Sequence, residues 1–214
     1  MTSGNRPEIS VILTTFNRAA LLEQAIESVV IQTIPDWELI VVDDGSADDT
    51  FAVVDRFLQR HENIRYMKHR NRKAPLSRNS GIQAAFGRYI TFLDSDDFYL
   101  PEHLESRHRL LESRPEVDLL SGGFTLEGDP WVRDRDNPEK LVHLSECILC
   151  GTLFGRRELF LDLEGFRAID YAEDADLWDR AGQRYNRMKI ESPESYVYRR
   201  SEDSITGQYK GKGS

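Results

Sequence analysis

Apolar and polar positions along the first hundred residues switch between a strand period and a helix period. Ile9-Ser-Val-Ile-Leu-Thr-Thr15 is a β-branched apolar run and predicts a buried strand. Asn17 stands where a helix cap is expected, and Leu21, Leu22, Ala25, Ile26, Val29 and Val30 follow at helical spacing. Pro35 marks a turn. Trp37-Glu-Leu-Ile-Val-Val42 predicts a second strand, ended by the turn residues Asp43-Asp-Gly-Ser46. Asp48 or Asp49 opens a helix with Phe51, Val54, Phe57 and Leu58 on one face. Ile64-Arg-Tyr-Met67 is a short third strand, and a helix is expected from about Pro75 to Phe86. Tyr89-Ile-Thr-Phe-Leu93 is a fourth strand that runs into Asp94-Ser-Asp-Asp97.

Strands alternating with helices at this spacing imply right-handed crossovers and a mostly parallel sheet covered by helices on both faces, an α/β fold. Ligands of such sheets bind beyond the C-terminal ends of the strands. Three polar clusters lie at such ends: Thr14-Thr-Phe-Asn17, Asp43-Asp-Gly-Ser46 and Asp94-Ser-Asp96. They are far apart in sequence, yet the topology brings them to one rim. The second half is less regular. A helix from about Pro101 to Ser113 precedes a strand over Val117 to Ser121. The stretch from Gly122 to Glu139 reads as a long loop with one hairpin, and a strand is expected between Leu141 and Phe154. A helix over Ala172 to Gly182 is opened by acidic residues, which suits its dipole. One domain is expected over 1–214, with a regular first half over about 8–100, a second half over about 101–206 and a flexible tail over 207–214.

Charge narrows the function. The 214 residues hold 28 Lys and Arg against 37 Asp and Glu, a net charge of −9. Nucleic-acid binding needs a basic surface and is not expected. An acidic chain that takes an anionic ligand must neutralise it locally, with a few cations, helix N-termini or a divalent metal. No apolar run reaches the roughly 18 residues of a membrane span, and Met1 to Glu8 lacks the apolar core of a signal peptide, so a cytoplasmic protein is expected. Cys147 and Cys150 are spaced as a redox or metal pair. A structural zinc site usually needs two such pairs, and Cys147-Ile-Leu-Cys-Gly-Thr-Leu-Phe154 reads as a buried strand, so two reduced core thiols are expected. The tail Gly207-Gln-Tyr-Lys-Gly-Lys-Gly-Ser214 is one residue short of a phosphate-binding loop, and no Gly-x-Gly-x-x-Gly supports a dinucleotide site.

Three Asp-x-Asp triplets occur. Asp134-Arg-Asp136 lies in a charged loop and is expected to be solvated. Asp94-Ser-Asp96 follows an apolar strand, where residues i and i+2 project the same way. Two carboxylates held side by side repel unless a cation lies between them, which points to Mg²⁺ or Mn²⁺ sharing phosphate oxygens, with a turn of helix-capping aspartates as the plain alternative. Asp43 and Asp44 also end a strand. One of them is expected to serve the turn, and the other to accept a hydrogen bond from a nucleobase N–H.

Five blocks, Ser10 to Arg18, Val41 to Thr50, Ser77 to Ile82, Gly87 to Asp97 and Ala172 to Trp178, closely resemble the family 2 glycosyltransferases of GT-A fold, in family order and spacing over roughly residues 8–206. The resemblance implies a Rossmann-like nucleotide-binding half with a smaller mixed acceptor-binding half. It implies inverting transfer from a nucleotide-sugar donor, most readily a UDP-sugar, to a hydroxyl of a glycan or lipid-linked acceptor, with Mn²⁺ or Mg²⁺. Thr14 and Phe16 would line the nucleoside pocket and Asp44 would accept from the base. Arg78 would lie by the phosphates. Asp94 and Ser95 would contact the donor, Asp94 and Asp96 would serve the metal, and Asp174 would be the general base with Glu173 as its rival. Peripheral contact with a membrane face remains compatible with a lipid-linked acceptor.

One departure from the family pattern stands out. Many members carry a His in a Tyr-Arg-x-His context near the C-terminus, and here Ser201 occupies that position. The alternatives are a nucleotide-sugar-binding module without transfer activity and a sugar nucleotidyltransferase. The latter usually opens with a Gly-rich loop after the first strand, where this chain has Thr-Thr-Phe-Asn-Arg18.

Overall fold

The computed structural model describes residues 6–200. Ser201 and the tail over 207–214 lie outside the described residues. Among the described residues twelve strands and six α-helices follow one another as β1 Ile9–Thr15, α1 Ala19–Val30, β2 Trp37–Asp43, α2 Thr50–Leu58, β3 Ile64–Lys68, α3 Lys73–Ala84, β4 Tyr89–Asp94, β5 Phe98–Tyr99 and α4 His103–Ser113. Then come β6 Leu119–Gly122, β7 Phe124–Glu127, β8 Trp131–Arg133, β9 Leu141–His143, β10 Phe154–Arg156, α5 Arg157–Asp162, α6 Glu173–Ala181, β11 Arg187–Ile190 and β12 Tyr196–Arg199.

Seven strands form the central sheet in the order β11-β6-β10-β4-β1-β2-β3. β1 pairs in parallel with β2 and β4, and β2 with β3. β10 runs antiparallel to both its neighbours. The mixed second half adds the sheet β5-β12-β7 and the hairpin β8-β9. This is the α/β architecture that the alternating pattern predicts.

The core sits on both faces of the sheet because each strand alternates. Val11 and Leu13 of β1 and Leu39 and Val41 of β2 face Leu22, Ile26 and Val29 of α1 and Val54 and Phe57 of α2. Ile12, Ile40, Val42 and Phe92 face Ile82 of α3, Phe160 of α5 and Leu177 of α6. Burying an aliphatic side chain of this size contributes about 1.5–3 kcal/mol. Gly81 lets α3 lie close on the sheet, since a Cβ there would overlap Ile12 Cγ2.

Three expectations change. Asn17 does not cap α1. Its Oδ1 accepts from Ala47 N–H at 2.8 Å, and Asp48 Oδ2 accepts from Ala19 N–H at 3.0 Å. The first helix is thus capped by the turn after β2, which locks two rim loops together. The stretch from Gly122 to Glu139 is more ordered than a loop, carrying β7 and β8. The segment from Cys147 to Phe154 is not a strand. It makes a 3₁₀ turn at Cys150–Thr152 and extends only from Phe154. Cys150 is buried and Cys147 half-buried, and both thiols are free.

Candidate active site

The C-terminal ends of β1, β2 and β4 meet at one rim, and a cleft of about 1070 Å³ opens above them. Thr14, Phe16, Asp44, Arg78, Asp94, Ser95, Asp96 and Asp174 all line it, as does Glu173. The residues to which the resemblance gives a role at the donor, the metal or the acceptor thus border one cavity. The opposite wall comes from the hairpin, the turn at Cys150–Thr152 and the start of α6.

The two aspartates after β2 divide. Asp43 faces inward: its Oδ1 accepts from Gly45 and Ser46 N–H and its Oδ2 from the Tyr66 hydroxyl at 2.6 Å. Against the cost of burial, these donors hold its carboxyl below the usual range. Asp43 is the turn residue. Asp44 faces the cleft, with Oδ1 held by Arg72 N–H at 2.7 Å and His69 Nδ1 at 3.3 Å. Phe16, 46% exposed, stands at the mouth.

At the end of β4, Asp94 Oδ1 accepts from Arg78 at 2.8 Å. The other arm of the same guanidinium donates to Glu173 Oε1. Arg78 is buried and stacks over Phe166. Its charge thus lies in the cleft floor, tying the β4 rim to α6. Among the described residues the cation paired with Asp96 is the more distant Arg18, at 3.9 Å. Burial, and then the charge of Asp94, raise its carboxyl above the usual range. Ser95 is buried between them. Asp97 also borders the cleft, but both its oxygens are engaged, accepting from the Tyr196 hydroxyl and from Arg199 N–H at 2.7 Å.

Asp174 occupies the first turn of α6. Its Oδ2 accepts from Cys150 N–H at 3.0 Å and its Oδ1 from Ala175 N–H at 2.8 Å. A helix dipole alone would keep it ionised, and the structure corrects that expectation. Burial, reinforced by the Glu173 charge, outweighs the dipole and pushes its carboxyl up to about 7. A carboxyl of that proton affinity suits a general base near neutral pH.

Residues 10–160 match the family model described as glycosyl transferase family 2. The chain belongs to that family. EpsE of Bacillus subtilis, described as a putative glycosyltransferase, is 30% identical over 84% of this chain and 68% of its own length. EpsJ of the same organism is 28% identical over 94% of this chain, which spans 63% of EpsJ. A Campylobacter jejuni protein named GalNAc(5)-diNAcBac-PP-undecaprenol beta-1,3-glucosyltransferase is 44% identical over 42% of this chain and 30% of its own length. Among solved structures, S. aureus TarS 1-349 in complex with UDP-GlcNAc superposes with a TM-score of 0.77 at 22% identity, over 94% of this chain and 61% of TarS. A Pyrobaculum calidifontis mannosyltransferase in complex with GDP-Man and Mn2+ gives 0.70 at 21% identity, over 91% and 57%. These neighbours identify the GT-A fold.

The family 2 blocks leave several parts of the site unannounced. Arg18 ends the first block and Cys150 belongs to the Cys-x-x-Cys pair, but neither carries a predicted place in the site, and Tyr196 joins the lining without any pattern that marks it. Asp134 and Asp136 also reach the cleft mouth, although Asp134 is committed to its own turn through Asp136 and Asn137 N–H. Among the described residues no helix is long and apolar enough to cross a membrane.

Proposed function

We propose that this chain transfers a sugar from a UDP-sugar to a hydroxyl of a glycan or lipid-linked acceptor, in one displacement that inverts the anomeric centre. The observation that carries the reading is the convergence of Asp44, the Asp94–Asp96 pair and Asp174 on one cleft. Asp44 Oδ2 would accept the N3–H of uracil while Arg72 and His69 hold Oδ1. Phe16 covers the base and Thr14 borders the nucleoside. The lipid-linked class of acceptor is supported by the Campylobacter relative's name.

The donor set at the end of β4 fits a hard divalent ion. Asp94 and Asp96 offer carboxylate oxygens, and the raised proton affinity of Asp96 marks a charge that Arg78 and Arg18 leave incompletely neutralised. When bound there, Mn²⁺ or Mg²⁺ supplies positive charge to the leaving diphosphate. Ser95 keeps the two carboxylates apart, and Arg78 orients Asp94. Asp174 takes the acceptor's hydroxyl proton as the new C1–O bond forms, and the electron pair of the broken C1–O bond leaves on the diphosphate. Glu173 is less suited to that task because Arg78 engages it.

A thermal-shift screen of nucleotide sugars with and without Mn²⁺ tests the donor and the metal together. UDP-sugars should raise the melting temperature only with metal, and Asp174→Asn should keep that binding while losing transfer. If no uridine nucleotide binds in the presence of Mn²⁺, the reading fails. If nucleotide sugars bind and no acceptor supports turnover, the binding-module alternative takes its place.

A further inference from the structure

Tyr196 sits at 0% exposure on β12, the middle strand of the small sheet, between the two halves of the cleft. Its hydroxyl donates to Asp97 Oδ2. Asp97 is 2% exposed and directly follows Asp96, and its other oxygen is held by Arg199 N–H. Asp97 N–H in turn donates to Asp94 O at 3.1 Å, closing the turn that carries Asp94 to Asp96. The phenol ring has a second neighbour. A Cβ at Gly151 would overlap both the hydroxyl and the ring, so the turn Cys150–Thr152 packs directly on Tyr196. That turn supplies the Cys150 N–H that holds Asp174 Oδ2. Tyr99 packs edge-on against the ring at 5.7 Å and limits its movement.

We infer that Tyr196 is a positioning residue that sets the spacing between the aspartate turn at β4 and the carboxylate of Asp174. Its hydroxyl acts on the donor side, through Asp97. Its ring acts on the acceptor side, through Gly151 and Cys150. The inference rests on the proposed roles of Asp96 and Asp174. The hydroxyl can be removed by itself. Tyr196→Phe deletes it and keeps the ring, leaving Asp97 one donor short beside Asp96. Gly151→Ala puts a methyl group against both the hydroxyl and the ring and so disturbs both sides.

The test is calorimetric binding of UDP as a function of Mn²⁺ concentration, with turnover of the donor found by the screen above. Tyr196→Phe should raise the Mn²⁺ concentration for half-maximal UDP binding roughly tenfold, the scale of one lost hydrogen bond to a charged group. Its turnover at saturating Mn²⁺ should stay within about twofold of wild type, because the ring still supports the turn that holds Asp174. Gly151→Ala should lower turnover and raise the Mn²⁺ requirement together, because its methyl group meets the hydroxyl as well as the ring. Asp97→Ala should match or exceed Tyr196→Phe. Asp97→Asn should be milder, since its carbonyl still accepts from Arg199 and its amide can donate to the phenol. A lower melting temperature for Tyr196→Phe with an unchanged Mn²⁺ requirement makes Tyr196 a packing residue and overturns the inference. If the wild type binds no UDP with Mn²⁺, the proposed function falls and this role with it. If wild type binds and Tyr196→Phe matches it, only the positioning role falls.

Discussion

Replacing Asp174 by Asn should change the sign of its effect on stability between pH 5 and pH 8.5. The folded carboxyl is raised to about 7 from an ordinary 3.8. Between those values the native state holds a proton that the unfolded chain has lost. Wild-type stability from this group is therefore fully present below about pH 4 and is lost as pH rises through about 7. At 1.36 kcal/mol for each tenfold, the charge costs at most about 4 kcal/mol at alkaline pH. Asn carries no charge at any pH. It can accept only one of the two N–H bonds from Cys150 and Ala175, a loss of about 1 kcal/mol that does not vary with pH. Asn should then be less stable than wild type at pH 5, and equal or more stable at pH 8.5. Urea unfolding of both proteins at the two pH values measures the difference directly, and other titrating groups cancel in the comparison. A mutant-to-wild-type difference that is the same at both pH values would refute the argument from burial.

The same shift fixes the pH profile of transfer: kcat/KM should rise with pH through about 7, because only the ionised carboxylate accepts the acceptor's proton. Asp44→Asn should weaken UDP binding about tenfold or more and improve CDP relative to UDP, since the new amide N–H faces the cytosine N3 acceptor; equal affinities for UDP in competition binding would remove Asp44 from the base site. Arg78→Ala leaves Asp94 and Glu173 without their shared cation, and losses of about 3–5 kcal/mol are typical for a broken buried pair, so the melting temperature should fall by on the order of 10 °C. Chelation by EDTA should abolish transfer, and Asp96→Ala should not be rescued by added Mn²⁺.

Much of the fold was open to sequence reasoning because its strands are short, apolar and bounded by turn residues. β1, β2, β3 and β4 all lie within a residue or so of their predicted places. The rim followed from topology, since parallel strands must deliver their C-terminal ends to one side. The second half resisted for a physical reason. β8 and β9 have three residues each, too few for a period to register. The Cys147 to Phe154 segment is apolar enough for a strand, yet Gly151 against Tyr196 and the Cys150 N–H to Asp174 bend it into a turn. Both contacts come from residues far along the chain. Asn17 failed as a cap for a similar reason: Asp48, 29 positions away, reaches Ala19 N–H first.

Net charge pointed to the right puzzle without locating its answer. Within the cleft wall the acids differ in how fully each is compensated. Asp43 has Tyr66 and two backbone donors, Asp44 has Arg72 N–H, and Asp94 and Glu173 share the buried guanidinium of Arg78. Three carboxyls are raised above their usual range. Asp97 is one, and its two oxygens are already covered by Tyr196 and Arg199, so it has none to offer the cleft. The other two are Asp96, whose paired cation among the described residues lies at 3.9 Å, and Asp174, which among the described residues has N–H donors and no ion pair. An undercompensated carboxylate facing a cavity gains most from a metal ion or a proton. The two residues left in that condition are those to which the proposed reaction assigns the metal and the acceptor's proton, and in each case the proposed partner supplies the charge compensation that the protein withholds.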